Sequence, residues 1–151
     1  MEEDEYKATY NEIADVRCEF EKALTNNVCK CALSRHFCLA DREGYACNSS
    51  KNAAICAELL KKVRDNSRFL LKLQRTGEPL PHNMEIRVQT GGIEGLQKIL
   101  HPDYPVNKIE DISAVVEEAV SVYGDMEALP YSEIVQTVAA TKVRKRSKNK
   151  Q

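Results

Sequence analysis

The chain contains no tryptophan, only 6 % aromatic residues, and no apolar run near the roughly 20 residues that span a bilayer. With so few aromatics, aliphatic side chains and alanine must fill the core, which suits packed helices better than sandwiched sheets. There is no Gly-rich phosphate loop, no dinucleotide fingerprint, no H-E-x-x-H and no serine nucleophile elbow. Carboxylates are scattered over polar helix faces and form no acid–base pair, so enzymatic activity is not expected. The opening Met1-Glu2-Glu3-Asp4-Glu5 is the reverse of a basic, then apolar, signal peptide, and a cytoplasmic location is expected.

What the sequence does have is apolar residues at 42 %, charged residues at 30 % and six cysteines in 151 residues, the composition of a globular chain. In a reducing compartment such cysteines point to metal ligation rather than to disulfides. Cys29, Cys38, Cys47 and Cys56 follow one another at nine-residue steps, C-x8-C-x8-C-x8-C. On one helix, nine residues turn the chain through about 900° and advance it by about 13 Å, so only a loop could gather these thiols. Zinc sites favour short C-x2-4-C turns, which are missing, whereas an iron–sulfur cluster asks for four thiolates rather than one spacing. The expected site is therefore Cys29, Cys38, Cys47 and Cys56, with Cys31 as a substitute for Cys29. The expected cofactor is an iron–sulfur cluster, 4Fe–4S ahead of 2Fe–2S, with zinc as the alternative. Cys18 reads as a small packed hydrophobe, and His36 as a polar surface residue.

Around the cysteines, the periodicity predicts a mainly α protein. Apolar positions Tyr6, Tyr10, Ile13, Phe20 and Leu24 predict one helix from Asp4 to about Thr25. A cysteine loop follows over 28–50, and then a second helix, capped by Ser49 or Ser50, runs to about Leu73. This N-terminal helical hairpin, residues 1–75, would carry the metal. The Gly- and Pro-rich stretch 76–83 reads as a linker, and 84–141 as a small lobe of about three helices. In that lobe Met84, Ile86 and Val88 alternate like a short strand or open a helix, and Gly91-Gly92 reads as a turn. Helices are predicted over Ile93–Leu100, over Lys108–Tyr123 with Asn107 and Glu110 as a capping pair, and over Ser132 to about Thr141. The stripe Ile112, Val116, Ala119 and Tyr123 should pack inward.

Between Met84 and Glu133 ten acidic residues face three basic ones, whereas Lys142–Lys150 holds six basic residues and no acid. The end of the chain, 142–151, is expected to be a disordered basic tail, without the interleaved aromatics that would stack on nucleic-acid bases. The functional expectation is an iron–sulfur protein of cytoplasmic electron transfer, or an accessory subunit of a redox complex, docking on a redox or acidic protein partner and not inserting into membranes. A zinc-stabilised or metal-free interaction module is the alternative. A thiol-based nucleic-acid-binding regulator stands behind both.

Overall fold

The computed structural model describes residues 2–13, 16–26, 29–70, 80–105 and 108–142. Of these, 64 % are helical, in six α-helices with one two-stranded antiparallel hairpin. In chain order they are α1 (Glu3–Ile13), α2 (Glu21–Thr25), β1 (Ser34–Leu39), β2 (Arg42–Cys47), α3 (Ser50–Leu70), α4 (His82–Leu100), α5 (Ile112–Tyr123) and α6 (Tyr131–Ala140). A 3-10 turn at Met126–Ala128 joins the last two. The mainly α class stands. No helix among the described residues is long and apolar enough to cross a membrane.

Local chemistry accounts for the helices that match expectation. Ser49 caps α3, its Oγ accepting the Asn52 N–H at 3.1 Å. The buried stripe of α3 runs through Ala53, Leu60, Val63 and Ser67, at the three- and four-residue steps of one helical face, with Cys56 on the same line. Asp111 caps α5, and Gly124, at φ 80°, closes it in a conformation other residues resist. Ile112, Val116 and Ala119 are buried as the stripe predicts. The predicted start at Lys108 is four residues early because the cap is Asp111, while Asn107 lies outside the described residues.

Two regions differ from the sequence reading. The first expected helix divides into α1 and α2, because the stretch between them pairs with β2: Arg17 forms an antiparallel bridge to Ala46. The predicted cysteine loop is the β1–β2 hairpin, with Ser34 opposite Cys47 at its base and Leu39 opposite Arg42 at its tip. One face of the hairpin lies under α1, where Tyr6, Tyr10 and Ala46 form a small buried cluster joined by Phe37 and Leu39. Tyr10 meets Phe37 edge-on at 5.0 Å between ring centres. In the second region, 84–88 is neither strand nor turn but part of α4, which runs unbroken through Gly91 and Gly92.

Helix α4 is central to the main core, and its glycines explain its course. A Cβ on Gly91 would lie 2.6 Å from the Val138 Cα, and one on Gly95 would lie 3.0 Å from the Ile134 carbonyl oxygen. The backbones of α4 and α6 therefore approach more closely than side chains allow. Gly91→Ala should destabilise the fold by about 1–3 kcal/mol, because overpacking against rigid backbone outweighs the better helix propensity of alanine. Gly92→Ala, facing only the Val63 methyls at 3.1 Å, should be milder. Denaturation midpoints of the two variants test the order. The same core takes in Phe20 just before α2 and Leu24 within it, Leu59 and Leu60 from α3, Val115 and Val116 from α5, and Ile134 and Val138 from α6.

Candidate metal centre

Three hydrogen-bonding patterns bring cysteines together at the base of the hairpin. The Cys18 N–H donates to the Tyr45 carbonyl at 3.1 Å, and the Cys47 N–H donates to the Val16 carbonyl at 2.8 Å. With Arg17 opposite Ala46, side-chain alternation sends Cys18 and Cys47 to the same face of the ribbon, the face turned away from α1. Cys31 stands one turn before β1, its carbonyl accepting both the Ser34 N–H at 3.1 Å and the Ser34 hydroxyl at 2.8 Å. Cys56 comes up from the second turn of α3, which follows β2 directly.

These four thiols lie within electrostatic reach of one another. Burial pushes the Cys56 thiol up to about 12, and charge on Cys18, Cys31 or Cys47 would oppose its ionisation further. Burial likewise raises Cys18 to about 12, with Cys31 and Cys47 acting in the same direction and a Phe20 backbone hydrogen bond acting against them. The sulfur of Cys47 accepts the Ser49 N–H at 3.5 Å. The Cys47 thiol in turn donates to the Ser49 carbonyl at 3.2 Å. Among the described residues, no three His, Cys, Asp or Glu side chains stand within common reach of one metal ion as placed.

The nine-residue series does not come together. Cys47 and Cys56 share the hairpin base, but Cys38 is exposed and pairs with Glu43 near the tip. Four ladder steps separate it from Ser34, about 13 Å of strand. Cys29 is buried in the main core on a segment that bridges to Ile109, and its thiol is raised to about 12 by burial and by Glu94. The cysteines whose charge reaches Cys56 are instead Cys18, Cys31 and Cys47. Cys18 gave no sequence signal, since its neighbours are supplied by a strand pairing some 29 residues distant. His36 is an exposed surface residue, its Nε2 3.3 Å from a Glu43 carboxylate oxygen.

Around the thiols lies a polar frame. Glu21 accepts the Tyr45 N–H at 2.9 Å and an Arg17 guanidinium N–H at 3.1 Å, and also takes the Tyr10 hydroxyl, tying α1, α2 and β2 together. Cys18 lines a groove of about 740 Å³ whose walls include Arg17, Lys22, Arg64 and Glu85. Arg64 grips Glu85 through two hydrogen bonds of 2.9 and 2.7 Å. Burial opposes ionisation of Glu85, yet Arg64 and Gln89 hold its pKa below the ordinary range. Of the basic run at the end of the chain only Lys142 is described, and it is exposed.

The chain matches no protein-family model, and no significant match to it is found among curated proteins or solved structures.

Proposed function

We propose that this chain is a zinc-stabilised protein-interaction module in which Cys18, Cys31, Cys47 and Cys56 are the thiolate ligands of one structural metal ion. What supports the reading is that Cys18, Cys31, Cys47 and Cys56 border the base of the hairpin from four segments, near enough for charge on one to oppose ionisation of another, where the local core is thin. A two-stranded hairpin is marginal by itself, and among the described residues the cluster that covers its other face has just three buried members, Tyr6, Tyr10 and Ala46. A tetrahedral ion joining α2's leading segment, both ends of the hairpin and α3 supplies the missing bracing. The groove beside Cys18 gives the ion a way in.

Zinc is preferred to an iron–sulfur cluster because Cys18, Cys31 and Cys56 pack directly against the main core, which leaves less room for a multi-iron centre than for one ion. In this reading the chain performs no chemistry of its own, and the basic run 142–150 adds charge attraction towards an acidic partner in the cytoplasm. Anaerobic purification followed by metal analysis and visible absorption tests it. A colourless protein with one zinc per chain is expected. A brown protein containing iron and acid-labile sulfide would instead restore electron transfer as the role of the site, and a protein that binds neither metal would remove the site altogether.

A further inference from the structure

Resting on the interaction-module reading above, and on no metal, the groove beside Cys18 has a charge arrangement of its own. Among the described residues five cationic and four acidic side chains line it, a near-balanced count. Their exposure is not balanced. In the Arg17–Glu21 pair the arginine side chain is 58 % exposed and the glutamate 19 %, and in Arg64–Glu85 the figures are 29 % and 11 %. Lys61 likewise stands further into solvent than Asp65, its partner one turn on. Two of the acids are withdrawn because the fold uses them. Glu21 ties α1, α2 and β2 together, and Glu85 accepts from Arg64 and from Gln89 Nε2, each at 2.7 Å. Lys22 has no carboxylate at ion-pair distance among the described residues, and its Nζ donates to the His82 Nδ1 at 2.8 Å. A solute entering the groove therefore meets ammonium and guanidinium groups ahead of carboxylates.

We propose that this groove is the docking site for an acidic segment of a partner protein, with Lys22, Lys61 and Arg17 receiving its carboxylates and Leu80 offering an apolar contact beside them. Complementary charges of this kind steer encounter and fix the register of the bound segment. A volume of about 740 Å³ takes a few side chains rather than a whole domain. Two features favour carboxylates over the phosphates of a nucleic acid. No aromatic side chain lines the groove among the described residues, so bases have nothing to stack on. Exposed Asp65 and half-buried Glu19 interrupt the positive field, which suits spaced carboxylates and opposes a continuous phosphate backbone.

Fluorescence anisotropy of labelled poly-L-glutamate, titrated with the full-length chain at low and at physiological salt, sets the groove against the basic run 142–150. Lys22→Glu combined with Lys61→Glu should weaken binding about tenfold and flatten its salt dependence. Lys145→Glu combined with Lys148→Glu changes the charge of the run by the same amount and should weaken binding less. Lys61→Glu alone, at a side chain 78 % exposed, should keep the helix content of the wild type in circular dichroism and still bind about threefold more weakly. A loss in the Lys145 and Lys148 variant as large as that in the groove variant, or larger, would overturn this inference and leave the interaction reading standing, with docking on the end of the chain. Absence of binding by the wild type would overturn the inference and the acidic-partner reading together. A labelled single-stranded oligonucleotide that binds more tightly than poly-L-glutamate, and is lost with Lys22 and Lys61, would make the groove a nucleic-acid site and overturn the proposal.

Discussion

Serine at Cys18, Cys31, Cys47 or Cys56 should abolish tight zinc binding and release the hairpin from α3, whereas serine at Cys29 or Cys38 should leave the metal in place. Removing one thiolate from a four-ligand structural site opens it, and the apparent binding free energy of such sites, about 10–16 kcal/mol, is largely folding free energy. The hairpin has little else to fall back on, with three buried residues in the cluster on its α1 side among those described. Its expected response is loss of amide protection over 34–47, with α4 and α6 still protected because their contact is built on glycine-mediated packing and aliphatic side chains. The two control cysteines should differ from each other. Cys38 is exposed, and its replacement should change nothing measurable, whereas Cys29 is 3 % exposed and its serine variant should lose about 1–3 kcal/mol of stability from polar burial while keeping its zinc. Metal content per chain, read together with the denaturation midpoint, distinguishes the two kinds of loss. Retention of zinc in all four ligand variants would refute the site.

Glu94→Gln should stabilise the protein at pH 8 by up to about 3 kcal/mol and have almost no effect near pH 4.5. Glu94 is 8 % exposed in the middle of α4, and burial raises its pKa from 4.5 to about 7. A carboxyl with a raised folded-state pKa holds its proton more tightly folded than unfolded. Its favourable contribution is complete below pH 4.5, falls as pH rises, and is gone above about 7, where the folded chain must carry a buried charge. Glutamine has the same shape without the charge, so the variant should show a flatter stability profile between pH 4.5 and 7. Nearby Cys29 feels the same carboxylate, and alkaline conditions should strain this part of the core first. Urea midpoints of both proteins across that range give the answer, and parallel profiles would show that Glu94 ionises freely in the folded state.

Much of the helical framework could be read without the structure because it is local. The three- and four-residue spacing of Leu59, Leu60 and Val63, the inward stripe of α5, and stop signals such as Gly124 each depend on residues within a few turns of one another. Even Cys56 lies on the buried line of α3, where its sequence position put it. The hairpin was hidden for equally physical reasons. Its turn is Ala40-Asp41, with φ of 51° and 67°, rather than the Asn-Gly that usually marks two residues in the left-handed region. Glycines misled in the opposite sense: Gly91 and Gly92 looked like a break, yet the helix continues because α6 and Val63 occupy the space where side chains would stand.

For the thiols, the even nine-residue interval was a property of the written sequence, and hydrogen bonds between distant segments decided where each cysteine lies. The pairing of Arg17 with Ala46 delivered Cys18, the hairpin register carried Cys38 to the far tip, and the hold of Asp111 on Ala32 set Cys31 in place while Cys29 turned into the core. The sequence by itself determined that this is a cysteine-bearing, mainly helical chain with particular faces buried, because helical periodicity and capping are short-range effects. Only the tertiary structure decided which cysteines border the hairpin base, because strand pairing joins residues whose separation along the chain leaves no periodic trace.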